Sequence, residues 1–172
     1  MEGAARRHVV LVGAGYIGLE LAEAFLHRGM AVTVVERLPQ VLSVADPEMV
    51  VPLQKELLSK GADLRLGAAL EAIHPTEEGL DVKLGDGTRV ACGLVVVAIG
   101  VRPETKLAQS CGLELGPRGG IRVDARMRTS DPFIWAAGDA VEVEDFVGGS
   151  PSLIPLAGPA NRQGRICADN IL

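Results

Sequence analysis

His8-Val-Val-Leu-Val-Gly-Ala-Gly-Tyr-Ile-Gly18 decides the fold. The first five residues are nearly all apolar and mostly β-branched, which is how a strand buried on both faces of a parallel sheet reads. The glycines follow at once, and Leu19, Ala22, Phe25 and Leu26 recur at helical spacing up to a stop at Gly29. Ala31 to Val35 is a second buried strand that ends at Glu36. The result is a strand–helix–strand unit of about 30 residues, whose crossover is expected to be right-handed.

Within this unit Gly13, Gly15 and Gly18 have separate tasks. Gly13 permits the sharp turn from strand to helix, Gly15 lets the backbone approach a pyrophosphate, and Gly18 lets the helix lie close to the strand. Tyr16 and Ile17 open the helix, whose unpaired N–H groups and positive end face an anion. Glu36 lies where a carboxylate accepts hydrogen bonds from both hydroxyls of an adenosine ribose. Its charge points to NADH. Arg37 beside it is able to pair with a 2′-phosphate, so NADPH stays open.

Outward from this unit, Asp46-Pro47-Glu48 marks a helix start, with Gly61 as its stop. Ala62 to Leu66 reads as a third strand. Leu70 to Ala91 alternates apolar and polar residues around Gly85-Asp86-Gly87, which predicts an antiparallel meander. Leu94 to Ile99 is another buried strand, closed by Gly100, and Thr105 to Ser110 is a short helix. A Gly/Pro loop near Gly116 marks a boundary between residues 1–115 and 116–172. Beyond it, Ile121 to Val123 and Phe133 to Ala137 read as strands, Val143 to Pro155 as loop, and Pro159 to Leu172 as helix. The expected fold class is α/β: a Rossmann-like parallel sheet with flanking helices and an antiparallel meander, then an incomplete second domain.

Composition narrows the function. Of 172 residues, 48% are hydrophobic and 23% charged, which suits a globular chain rather than a disordered one. A net charge of −5 and 3% aromatics offer no nucleic-acid surface, and the longest basic cluster is Arg6-Arg7. The apolar run at Val9 to Val12 is too short, and too soon followed by glycines and Glu20, for a signal peptide or membrane span. Cys92, Cys111 and Cys167 form no C-x-x-C pair, so a reducing, cytoplasmic setting is expected, with each a small buried residue. His8, His27 and His74 share no metal or triad spacing and read as structural.

Four motifs in order resemble the FAD-dependent pyridine nucleotide-disulfide oxidoreductases. Gly13 to Glu20 resembles their NAD(P)H motif. Ala98-Ile-Gly-Val-Arg-Pro103 is similar to the strand end, with Gly100, that leads back to the flavin domain. Thr129 to Asp139 resembles the second FAD motif, and Ile154 to Arg165 the flavin-facing helix start. With Val141 to Phe146, the last motif points to the coenzyme A-disulfide reductase, NADH oxidase and polysulfide reductase branch. The resemblance implies that Tyr16 covers the nicotinamide pocket and that Glu20 contacts its carboxamide. It also implies that Asp139 meets the FAD ribityl and pyrophosphate, and that Leu156, Ala157 and Asn161 meet the isoalloxazine. The implied function is passage of hydride from NADH to FAD and on to a disulfide, polysulfide or oxygen, in a homodimer.

The resemblance also marks what this stretch lacks. There is no second G-x-G-x-x-G, no matching redox cysteine and no dimerisation domain. No catalytic residue is therefore assigned, and the chain is expected to bind NADH but turn over little. The strand at Phe133 to Ala137 would lack its sheet partners, and self-association through it is expected. The alternative is a stand-alone NAD(H)-binding sensor, against which the FAD motif at Thr129 to Asp139 argues.

Overall fold

A computed structural model describes residues 7–171, and its compact units are Met1–Gly100 and Val101–Leu172. Arg6 of the basic pair and the chain start lie outside the described residues. The composition shift read in the sequence falls later, at Gly116. Helix α3 (Lys106–Ser110) and the Gly/Pro loop belong to the second unit by their bonds: Thr105 Oγ1 donates to Gly119 O at 3.3 Å, and Glu114 N–H to Ser130 Oγ at 3.0 Å.

The first unit has three layers. Strands β1 (His8–Val12), β2 (Ala31–Glu36), β3 (Asp63–Leu66) and β7 (Leu94–Val97) form a parallel sheet in the order β3-β2-β1-β7. Successive side chains of a strand point to opposite faces. Val9 and Leu11 of β1 accordingly pack with Ala22 of helix α1 (Tyr16–His27) and with Val50 and Leu57 of helix α2 (Pro47–Ser59). Val10 and Val12 face Val82, Leu84 and Cys92 of an antiparallel sheet, β4 (Leu70–Thr76), β5 (Gly79–Leu84) and β6 (Arg89–Cys92). Val9, Val10 and Leu11 are wholly buried. Each such side chain contributes roughly 1.5–3 kcal/mol, so β1 is the keel of the unit. Its amino end is polar but satisfied: the His8 ring lies 3.0 Å from Ala91 O and 2.9 Å from the buried Thr33 Oγ1.

Both helices of the first unit stop where the sequence places glycines. Gly29 (φ 69°) and Gly61 (φ 87°) adopt the left-handed conformation that a Cβ resists. Asp46 occupies the N-cap position of α2, but its side chain makes no capping bond there.

In the second unit β8 (Ile121–Arg122), β9 (Val141–Glu144) and β10 (Pro151–Leu153) form a sheet in the order β10-β9-β8, and α4 spans Ala157–Ile171. Two expectations are corrected here. Val143 to Pro155 is not simply a loop, because β9 and β10 make an antiparallel hairpin. Phe133 to Ala137 is not a strand. Asp131 Oδ1 accepts the Phe133 N–H at 2.8 Å, the Ile134 N–H donates to Asp131 O at 3.2 Å, and the segment folds back on Met127 to Thr129. Trp135 makes one bridge, to Arg128, and Ala136 N–H donates to Met127 O at 3.0 Å. Among the described residues no parallel strand pairs with this segment, and local turn bonds hold its backbone. The unpaired strand that self-association required is therefore not present.

The cysteines also separate. Cys92 is buried and Cys167 half-buried, and in both burial pushes the thiol pKa up. Cys111 is exposed, contrary to expectation, because it caps the short helix α3 from outside. A thiol reagent under native conditions is expected to label Cys111 first and to leave Cys92 unmodified until the chain unfolds. Mass spectrometry of the digested, labelled protein checks this, and early labelling of Cys92 would contradict it.

Candidate functional site

The glycine loop leaves β1 at its carboxyl end, where open α/β sheets bind ligands. Gly13 has φ 103°, and a Cβ there would collide with the Ala98 carbonyl of the strand end beyond β7. A Cβ on Gly18 would collide with the Gly13 carbonyl oxygen. Both glycines are buried, and both let α1 start against the sheet. Gly15 differs. It is exposed, and a Cβ built on it meets nothing within 4 Å. Gly15 is the N-cap of α1, and the first helical bond is Leu19 N–H to Gly15 O at 3.0 Å. The N–H groups of Gly15, Tyr16 and Ile17 therefore have no intrahelical acceptor, at the positive end of the helix.

Glu36 closes β2 beside this loop. Its Oε2 accepts the Ala14 N–H and its Oε1 the Leu38 N–H, both at 2.8 Å. The half-buried carboxylate thus braces the glycine loop, and each oxygen keeps a further lone pair for another donor. Arg37 is exposed next to it. Tyr16 and Ile17 are 55% and 56% exposed on the first turn of α1, and Glu20, also exposed, follows on the same face. Two apolar side chains left open at a helix start make a surface suited to a flat ring. Gly100 (φ 103°) is exposed at the end of the segment that follows β7.

The second unit assembles its own group. Gly138 (φ 93°) and Asp139 form a tight turn, with Val141 N–H donating to Gly138 O at 3.2 Å. The Gly138 N–H donates to Oε1 of Gln163, which α4 buries. Gln163 was not singled out in the sequence, since a polar residue on a helix ordinarily faces water. Asp139 is exposed and lines a cavity of about 150 Å³ with Arg102 and Leu153. Leu156, Ala157 and Asn161, at the start of α4, are all exposed. The described structure thus gathers Gly13, Gly15, Tyr16, Ile17, Gly18, Glu20, Glu36 and Arg37 around one loop. Gly138, next to Asp139, is tied to α4 through Gln163.

A strand, a glycine loop, a helix and a strand-end acid on a parallel sheet define a Rossmann-type nucleotide-binding architecture. The chain belongs to the pyridine nucleotide-disulphide oxidoreductase family, whose model matches residues 2–164. It is 41% identical to an NADH oxidase of Methanocaldococcus jannaschii over 96% of this chain and 37% of that protein. An NAD-dependent persulfide reductase from A. fulgidus superposes with a TM-score of 0.93 and 38% identity, over 99% of this chain and 31% of that one. The water-forming NADH oxidase of Lactobacillus brevis, solved bound to NADH, gives 0.91 and 32% over 96% of this chain and 37% of that one. The chain spans a little over a third of the length of the curated relative. These relatives are enzymes. Among the described residues, no helix is long and apolar enough to cross a membrane.

Proposed function

We propose that the chain is the NAD(P)H-binding portion of a flavoprotein oxidoreductase, together with a returning segment of its FAD domain. The observation that carries this reading is the cradle at Gly15. Two buried glycines press the helix start onto the sheet, the exposed one leaves room for an anion, and a carboxylate stands at the adjacent strand end. Gly15 and the first turn of α1 would hold the pyrophosphate, and Glu36 would accept from the ribose hydroxyls. Tyr16 and Ile17 would cover the nicotinamide, and Glu20 would accept from its carboxamide. Asp139 would accept from flavin ribityl hydroxyls, and the amino end of α4 near Ala157 favours negative charge at the ring edge. Hydride transfer between the two dinucleotides, and onward to a disulfide, polysulfide or oxygen, is the chemistry the cofactors supply when bound.

Calorimetric titration with NADH and with NADPH tests this reading. Micromolar NADH binding is expected, with NADPH weaker by about tenfold or more because its 2′-phosphate would lie against the Glu36 charge. A preference for NADPH would transfer the recognition role to Arg37. Binding of neither nucleotide would overturn the reading.

A further inference from the structure

We propose that Leu42 is a positioning residue for the glycine loop, fixing the Ala14 carbonyl so that the Gly15 N–H aims outward at a dinucleotide pyrophosphate. The inference rests on the NAD(P)H reading of that loop. Leu42 has φ 46°, a left-handed conformation that its Cβ resists, and it lies between β2 and α2 in a segment assigned no role above. Such a conformation persists where the surroundings dictate it, and it is met most often at functional sites.

The surroundings here are specific. Leu42 N–H donates to Ala14 O at 2.8 Å, and Leu42 O accepts the Ala45 N–H at 2.9 Å. The preceding residue, Val41, is wholly buried, and its N–H donates to Gln54 Oε1 of α2 at 3.3 Å. The Leu42 side chain packs on the core between the sheet and the helices. Ala14 is therefore held at both polar atoms, its N–H by Glu36 and its carbonyl by Leu42.

Peptide geometry supplies the consequence. In a planar trans peptide the carbonyl of one residue and the N–H of the next point in opposite directions. With the Ala14 carbonyl fixed toward Leu42, the Gly15 N–H must point the other way. That N–H has no partner among the described residues, and the space over Gly15 is open. The left-handed backbone at Leu42 thus sets the direction of the first amide that an anion would meet. An amide aimed before the ligand arrives loses less ordering entropy on binding.

The test replaces one atom. An amide-to-ester exchange at Leu42, made by semisynthesis with the corresponding hydroxy acid, removes the N–H and keeps the side chain. Leu42→Gly keeps the N–H and relaxes the backbone. NADH affinity is measured for both, with thermal unfolding in parallel. The ester is expected to lose about tenfold or more in NADH affinity, and Leu42→Gly to stay within about threefold of the parent. An ester variant that folds and binds NADH like the parent overturns the inference alone. A parent chain that binds neither NADH nor NADPH overturns the NAD(P)H reading and the inference with it. Should the ester fail to fold, hydrogen exchange at Gly15 in the parent decides. Fast exchange that slows on adding NADH supports the inference. An amide already protected, or one unchanged by NADH, overturns it.

Discussion

Gly13→Ala is expected to destabilise the first unit by roughly 2–5 kcal/mol, and Gly15→Ala to change its stability by less than about 1 kcal/mol. The two substitutions add the same methyl group two residues apart. At Gly13 the methyl meets the Ala98 carbonyl, and the backbone at φ 103° is closed to an L side chain. Relief requires the segment after β7 to move away from β1, which breaks the bond from Ala98 N–H to Val12 O at 2.7 Å. A domain has about 5–15 kcal/mol in all, so this loss is large. At Gly15 the methyl enters open space at an extended N-cap. Its effect belongs to binding, where it would occupy the approach of the pyrophosphate and weaken NADH by about tenfold or more. Urea unfolding with NADH titration of each variant separates the two effects. Equal stabilities, or an unchanged NADH affinity in Gly15→Ala, would contradict the assignment of tasks.

Glu36 carries the second large effect. Glu36→Ala is expected to lower NADH affinity by about tenfold to a hundredfold, since on the proposed reading the carboxylate would lose bonds to two ribose hydroxyls. It also leaves the buried Ala14 N–H without its acceptor, at a further cost of about 1–3 kcal/mol in stability. NADPH should suffer less, because the substitution removes charge repulsion as well as an acceptor, so the ratio of the two affinities should narrow or invert. Glu36→Gln is not a conservative change here. Both carboxylate oxygens accept backbone N–H groups, so one of them must be faced by the new NH₂. Glu36→Gln is therefore expected to resemble Glu36→Ala rather than the parent. Calorimetry with both nucleotides measures this, and a glutamine variant with parental NADH affinity would refute the brace.

Most of the first unit was legible in the residues because its signals are physical extremes. Val9 to Val12 is apolar throughout and Val32 to Val35 nearly so, Thr33 alone interrupting it, a pattern that burial on both faces explains. The meander alternates, and its register follows from Val82 and Leu84 facing inward. Glycine punctuation predicted the stops at Gly29 and Gly61 because few other residues adopt that backbone cheaply.

The second unit was harder to read. Phe133 to Ala137 has strand composition, but Thr129 and Asp131 accept the nearby amides, and Phe133 is 86% exposed. The β9–β10 hairpin was hidden by its acids. Glu142 reads as a solvent residue, yet it is buried and accepts the Arg118 and Gly120 N–H groups at 2.9 and 3.2 Å. Side chains that bond to backbone across long sequence separations leave no local pattern. The Gln163 side chain on Gly138 belongs to this class, and the backbone N–H of Leu42 on Ala14 O is equally silent in the local pattern; both bear on the candidate sites. The geometry of the candidate loop was legible where a rule ties residue type to backbone shape, as at Gly13 and Gly18. What holds those residues in place was not.

The most direct test of the central claim is amide mapping by NMR as the isotope-labelled chain is titrated with NADH. The account predicts the largest changes at Gly15, Tyr16 and Ile17 and at the Leu38 amide that Glu36 holds, with Gly18 and its buried neighbours changing little. Shifts confined to residues far from the glycine loop, or no shifts at saturating NADH, would contradict it.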